Sequence, residues 1–388
     1  MSHKTKGKGK KNLKLLFVLE YYPPHTGGVE ILFKNICEML SSEGHEVTVI
    51  TSRIPGTEKE ETKNGVRIKR IPVPRRAGRH FFTFFSLPRV LREAKGHDII
   101  HTTTYNGALP AWLASRIRKI PSIITIHEVI GKDWSKLHGM SLISSRIFRL
   151  FERIIVSLPF DRRVAVSDST RKNIERLGKD ADVVHNSVDY TTFNPLKYPG
   201  ARKKIRESLG IKSNEFLYVF YGRPGVSKGV EHLIKAMPKI REKIPNSRAL
   251  YIMGTDPKER YEMMKRLLKE NASGDAILHK PLPYKELPRY LMAADCIVVP
   301  SITEGFGFCV AESCAMKRPV VATNTTSIPE VVSGKFLLVP PRDSDAIAKA
   351  VHMSKKKQYM KTPLKRFTED KMIGGYLDIY RSILRRDQ

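Results

Sequence analysis

The chain has 388 residues, 41% of them hydrophobic, which is enough for two domains that each bury a core. Its 69 Lys and Arg stand against 39 Asp and Glu, a formal net charge of +30 that favours polyanionic partners: nucleic acid, anionic membrane or phosphorylated substrates. No apolar run approaches the length of a membrane span, no signal core follows the first lysines, and Cys37, Cys296, Cys309 and Cys314 form no CxxC pair, so a reduced, cytoplasmic protein is expected.

Residues 1–12, MSHKTKGKGKKN, read as a basic disordered tail. A first strand is predicted over 13–20. It ends in YYPPHTGGVE, after which Val29, Leu32, Phe33, Ile36 and Leu40 recur at helical spacing. Strand, glycine turn and helix present free N–H groups and a helix dipole to an anion, which makes Gly27 and Gly28 candidate phosphate contacts. A Gly-Gly pair alone also fits a plain turn. Further strands at 46–51, 66–71, 98–102, 122–126, 163–166 and 182–185, with helical patterns between several of them, predict a doubly wound parallel sheet.

Within this half, residues 62–92 hold nine Lys and Arg and no acidic residue, with RRAGRHFFTFF at the centre. Rings beside cations suit a bilayer interface or single-stranded nucleic acid; turned inward, the same rings fill a core. Two histidines close strands: His101 in DIIHTTTY and His127 in IITIHE. A histidine there ordinarily makes one structural hydrogen bond, and His101 is read that way. Residues 144–158 set Ile147, Leu150, Phe151, Ile154 and Leu158 on one helical face and Arg146, Arg149 and Arg153 on the other, a helix expected to pack on the sheet.

Residues 195–214 are rich in Pro, Lys and Arg and read as a linker. A second strand–helix series starts at 216 and continues through 249–254, 276–279, 296–299, 320–323 and 336–339. After its first strand, YGRPGVSKG sets Arg223 and Lys228 beside glycines, a fork of donors and a point charge suited to a diphosphate. The strand at 296–299 runs into PSITEGFGFCVAES, with Glu304 in a two-glycine loop and Glu312 on a helix, seven residues between them. Ligands of open α/β sheets bind beyond the carboxyl ends of the strands, and Gly305 and Gly307 let backbone N–H groups approach closely. Two glutamates alone are more often solvated surface. DAD at 180–182 and DSD at 343–345 mimic a metal-binding pair but read as a charged loop and a helix start.

EGFGFCVAE resembles the E-x7-E signature of the retaining nucleotide-sugar transferases of glycosyltransferase family 4, and GGVE, TIHE, NSVD and GRPGVSKG follow in family order from about residue 13 onward. The resemblance implies an α/β GT-B fold: two Rossmann-like doubly wound domains with the donor site in the cleft between them. Residues 13–195 would form the acceptor-side domain, 196–366 the nucleotide-sugar-binding domain, and 367–388 a helix returning to the first. The implied activity is retaining, metal-independent hexosyl transfer, with a UDP- or GDP-linked sugar as co-substrate and no cofactor. His127 matches the family's active-site histidine. Glu312 would bond the ribose; Glu304 would bond the sugar, helped by the N–H groups of Gly305, Phe306, Gly307 and Phe308. Arg223, Lys228 and the amides near Gly27 and Gly28 would neutralise the departing diphosphate. Ser187, Lys317 and Ser327 stand where the family usually has glycine, and Lys317 would have to take a left-handed cap. Charge and the aromatic run lead us to expect a sugar or lipid-linked acceptor and peripheral attachment to the inner face of the cell membrane. A phosphorylase on the same fold is an alternative. A nucleic-acid binder would need a zinc-finger, RRM or basic-zipper pattern, and none is present, so no nucleic acid is expected.

Overall fold

The computed structural model describes residues 12–25, 27–74, 78–135 and 141–385. The lysines of the basic tail, Arg75, Arg76 and the side chain of Arg79 lie outside the described residues.

Strand β1 (Lys14–Val18) shows how the sequence makes a covered sheet. Leu15 and Phe17 enter one buried cluster and Leu16 and Val18 another. Successive side chains of a strand point to opposite faces, so an unbroken apolar run needs cover on both sides. Strands β2 (Glu46–Ser52), β5 (Ile99–Thr103) and β6 (Ser122–Ile126) are likewise buried on both faces, and β7 (Arg162–Ala165) is so at Val164 and Ala165, whereas β3 (Glu60–Lys63), β4 (Val66–Ile71) and β8 (Asp182–Val183) are edge or near-edge strands with polar positions. The order is β3-β4-β2-β1-β5-β6-β7-β8, parallel except for β3 against β4. Around it lie α1 (Gly28–Ser42), α2 (Gly78–Ala94), α3 (Ala108–Arg118), α4 (Leu142–Ser157) and α5 (Asp168–Glu175).

The second sheet repeats the plan in the order β11-β10-β9-β12-β13-β14-β15. Its strands are β9 (Phe216–Gly222), β10 (Ser247–Met253), β11 (Ala276–His279), β12 (Cys296–Val299), β13 (Val320–Thr323), β14 (Lys335–Val339) and β15 (Met360–Lys361), the last antiparallel. Along β9, Leu217, Val219 and Tyr221 face one core while Phe216, Tyr218 and Phe220 face the other. The helices are α6 (Ala201–Ser208), α7 (Val230–Lys243), α8 (Lys258–Asn271), α9 (Leu287–Ala293), α10 (Phe308–Ala315), α11 (Ile328–Val331), α12 (Ser344–Lys355) and α13 (Glu369–Leu384). The last one packs on the first sheet: Met372, Ile373, Tyr376, Leu377 and Tyr380 share a buried cluster with Leu15 and Phe17.

Both sheets reverse direction at one strand. The chain leaves β1 toward β2 and later returns to place β5 on its other side; β9 is flanked likewise by β10 and β12. Such reversals open a crevice at the carboxyl ends of the strands. Gly27 and Gly28 follow β1, His127 follows β6, Arg223 and Lys228 follow β9, and Glu304 follows β12.

One expectation is corrected, and the partners of the basic stretch are identified. Helix α4 does not bury its apolar stripe: Ile147, Leu150, Phe151 and Ile154 are exposed, and the helix instead buries Glu152, Ile155 and Val156. In the stretch 62–92, the described cations Lys69, Arg70 and Arg89 pair with glutamates just outside it. Lys69 meets Glu93 at 2.6 Å, Arg70 meets Glu61 at 2.6 Å, and Arg89 pairs with Glu60 and Glu93. Its aromatic run is helical, in α2, with Phe82 in the core and Phe81, Phe84 and Phe85 exposed.

Tyr376 is fully buried and its hydroxyl lies 3.2 Å from Thr125 Oγ1. Tyr376→Ala should lower unfolding free energy by about 3–5 kcal/mol, as large-to-small core changes do. Urea titration checks this; an unchanged midpoint would mean that α13 does not hold the first core together.

Candidate active site

Loop 300–307 and the turn after β9 are locked together by a glycine. Gly229, at φ +58°, lies so near the Pro300 carbonyl that a β-carbon would stand 2.2 Å from that oxygen. The Ser227 carbonyl also accepts the Ile302 amide at 2.7 Å. This packing brings Lys228 Nζ to 2.7 Å from Glu304 Oε1, which also accepts from Ser301 Oγ at 2.7 Å. Burial alone would lower the Lys228 pKa, but the Glu304 charge and hydrogen bond reverse this and raise it, so the ammonium stays charged. Arg223 is exposed at the end of β9 and has no ion pair among the described residues. Its guanidinium is free for a ligand.

Glu312, on α10, is buried. Tyr284 donates to it at 2.9 Å, and the Tyr221 hydroxyl lies 3.0 Å away. Burial pushes its carboxyl up to about 7, against these hydroxyls, which favour the ionised form. The N–H groups of Gly305, Phe306, Gly307 and Phe308 have no acceptor among the described residues, leaving the loop and the start of α10 open to an anion or hydroxyl. The Phe306 ring is committed elsewhere, 5.1 Å from Phe367 in the core. Phe308 lies against the glycine turn, 3.8 Å from where a β-carbon on Gly28 would be.

The two halves of the cleft meet at Gly305, where a β-carbon would lie 2.1 Å from the His127 carbonyl oxygen. His127 is half-buried with its Nε2 shielded from solvent; desolvation pushes its pKa down to about 4, and Nε2 has no hydrogen-bond partner among the described residues. It is therefore a neutral imidazole with an unused nitrogen. His101 differs: Nδ1 meets Tyr380 at 2.7 Å and Nε2 meets Thr125 at 2.9 Å, so both nitrogens are engaged in structure. A cavity of about 870 Å³ opens between the halves, with Glu128, Lys132, Thr303, Glu304 and Arg342 on its walls.

Sequence reasoning missed two carboxylates here. Glu128, beside His127, takes a hydrogen bond from Thr303 across the cleft, and burial raises its pKa. Glu330, on α11, accepts the amides of Asp168 at 2.8 Å and Ser169 at 3.0 Å, so a residue of the second half caps a helix of the first. Glu330 follows Ile328 and Pro329 at the start of α11, and nothing in that local sequence names its distant partner. Asp168, His185 and Glu330 are the group among the described residues with metal-ligand spacing, yet Glu330 already serves two amides. Asp343 caps α12 through the amides of Asp345 and Ala346.

Two Rossmann-like sheets, each reversing at one strand, with a last helix that returns to the first sheet, have the architecture of a GT-B protein. Residues 201–368 match the family model described as Glycosyl transferases group 1, and residues 26–192 match that of Glycosyltransferase Family 4. The chain belongs to these retaining glycosyltransferases and depends on a nucleotide sugar. It is 27% identical over 360 residues to an uncharacterized glycosyltransferase of Methanocaldococcus jannaschii, covering 87% of each chain. It is 28% identical over 365 residues to the GDP-mannose-dependent alpha-(1-6)-phosphatidylinositol monomannoside mannosyltransferase of Mycolicibacterium smegmatis, covering 87% of this chain and 88% of that protein. Among solved structures, sucrose-phosphate synthase of Thermosynechococcus elongatus superposes with a TM-score of 0.78 at 19% identity, over 96% of this chain and all of that one. No helix among the described residues is long and apolar enough to cross a membrane.

Glu312 holds its proton more tightly folded than unfolded. Its contribution to stability is therefore full at low pH and is lost as pH rises from 4.5 to about 7. The donor-free protein should become easier to unfold by urea across that window, and Glu312→Gln should flatten that part of the profile. Parallel profiles for the two proteins would contradict the buried, proton-binding carboxyl.

Proposed function

We propose that the protein transfers a hexosyl group from a UDP- or GDP-linked sugar, without a metal ion, to an acceptor carried by lipid. The observation that carries this reading is the Lys228–Glu304 pair beside four unpartnered loop amides, set against His127 across the cleft. The bond from the anomeric carbon to the diphosphate breaks, and the acceptor oxygen bonds that carbon on the same face. The acceptor's proton leaves with the diphosphate. Negative charge grows on the leaving group as the sugar becomes oxocarbenium-like, so fixed donors aimed there lower the barrier most. Arg223, Lys228 and the amides at Gly27 and Gly28 fill that role, which gives a metal nothing further to neutralise. Glu304 and the amides of Gly305 to Phe308 hold sugar hydroxyls, and Glu312 holds the ribose. His127, neutral with Nε2 unused, meets a sugar or phosphate oxygen.

Support for a lipid-carried acceptor comes from the matched mannosyltransferase, whose own name specifies a phosphatidylinositol monomannoside. It comes also from Phe81, Phe84 and Phe85, three exposed rings on α2. Attachment to the inner face of the cell membrane follows from this reading.

Lys228→Ala and Arg223→Ala should each cut donor turnover about a hundredfold, near 3 kcal/mol of barrier, with the fold intact by circular dichroism. Normal turnover in both variants, once the donor is known, would sink the assignment. Turnover should also survive EDTA. Complete loss on chelation, restored by magnesium or manganese, would show that the cations of this site are not enough.

A further inference from the structure

Helix α4 exposes an apolar stripe that nothing among the described residues covers. Ile143, Ile147, Leu150 and Ile154 are 72%, 62%, 60% and 52% exposed. At 3.6 residues per turn they line one side of the helix, and Glu152, Ile155 and Val156 take the buried side. Arg146, Arg149 and Arg153 flank the stripe, each exposed, and Arg149 and Arg153 also line the cleft cavity. A helix that is apolar on its outward face and cationic along its flank matches the acyl–headgroup boundary of an anionic bilayer.

The stripe is joined to the active site by Glu152. This buried carboxylate accepts the Ile130 amide at 2.8 Å, the Gly131 amide at 2.7 Å, Trp134 Nε1 at 3.3 Å and the Tyr105 hydroxyl at 3.1 Å. Three of these four donors belong to the segment that follows His127 and Glu128 and walls the cavity. The fourth connects α4 to α2: Tyr105 packs on Phe151, and the adjacent Asn106 carbonyl accepts Thr83 of α2 at 3.0 Å. The exposed rings of α2 and the exposed stripe of α4 thus flank one loop.

We propose that α4 is the main membrane-docking element: its stripe enters the surface of a bilayer containing anionic lipid, its arginines pair with the headgroups at the cavity rim, and Glu152 transmits the docked position to the loop after His127. This rests on the reading of a lipid-carried acceptor. Docking then orders the acceptor wall of the cavity, so turnover of the sugar nucleotide rises at the surface.

The test uses the whole chain, vesicles of phosphatidylglycerol and phosphatidylcholine at physiological salt, and vesicles of phosphatidylcholine alone. Wild type should sediment with the first and not the second, and its donor turnover should rise with the first. The variant Ile147→Ser, Leu150→Ser, Ile154→Ser should lose ~10-fold or more of its vesicle partition and all of the stimulation. Its melting temperature and vesicle-free turnover should match wild type, because the three side chains are exposed. A matched variant, Phe81→Ser, Phe84→Ser, Phe85→Ser, should lose less. If the α4 variant sediments like wild type while the α2 variant does not, the α4 proposal falls and surface attachment stands on α2. If wild type turns over the donor but ignores anionic vesicles, docking falls and the transferase reading stands. If wild type sediments but uses no sugar nucleotide, it is the transferase reading that fails. A dimer that the α4 variant converts to monomer would assign the stripe to a second copy of the chain and overturn the proposal.

Discussion

The place where the halves of this molecule touch leaves no room for a β-carbon. Gly305 sits so close to the His127 carbonyl that a side chain there would stand 2.1 Å from the oxygen. The charged groups of the site are arranged around that contact. Thr303 reaches Glu128 on one flank, and Glu330 caps the helix beginning at Asp168 on the other. Gly229 repeats the device within the second half, pressing the Lys228 turn onto the end of β12. Donors and cations are thus held in place by the packing of the fold itself, and under the proposed function preorganisation of this kind costs no rearrangement during the reaction.

Most of this was legible where local sequence carries a physical signature. Central strands were readable because cover on both faces demands unbroken apolar runs. Edge strands β3 and β15 were not, since EETK and Met360–Lys361 pair at a margin and bury almost nothing. Helix 144–158 was found by its period, but periodicity identifies an apolar face without saying what lies against it, and the packing prediction failed there. The ion pairs of the basic run at 62–92 were unread for a related reason: the partners of Lys69, Arg70 and Arg89, namely Glu93, Glu61 and Glu60, come from its edges and from strand pairing. Glu128 and Glu330 were invisible because their partners are more than a hundred residues away.

The replaced glycines divide the same way. Lys317 does adopt the left-handed conformation, φ +56°, at a cost of roughly 1–2 kcal/mol for a residue with a β-carbon. Ser327 sits at φ −79°, a conformation open to any residue, and its hydroxyl lies 2.9 Å from the carbonyls of both Glu304 and Phe306. There the serine braces the glutamate loop by a hydrogen bond that glycine could not make.

The pairing of Lys228 with Glu304 means that each group already has a partner within the protein. An incoming anion does not meet a bare ammonium; it must take that ammonium from a carboxylate already 2.7 Å away. A lone phosphate offers one charge for another and gains little by the exchange. A molecule that gives the lysine a diphosphate and at the same time gives the released glutamate a hydroxyl donor satisfies both partners at once. Under the proposed function, the ion pair favours ligands that carry sugar and diphosphate together over a lone phosphate.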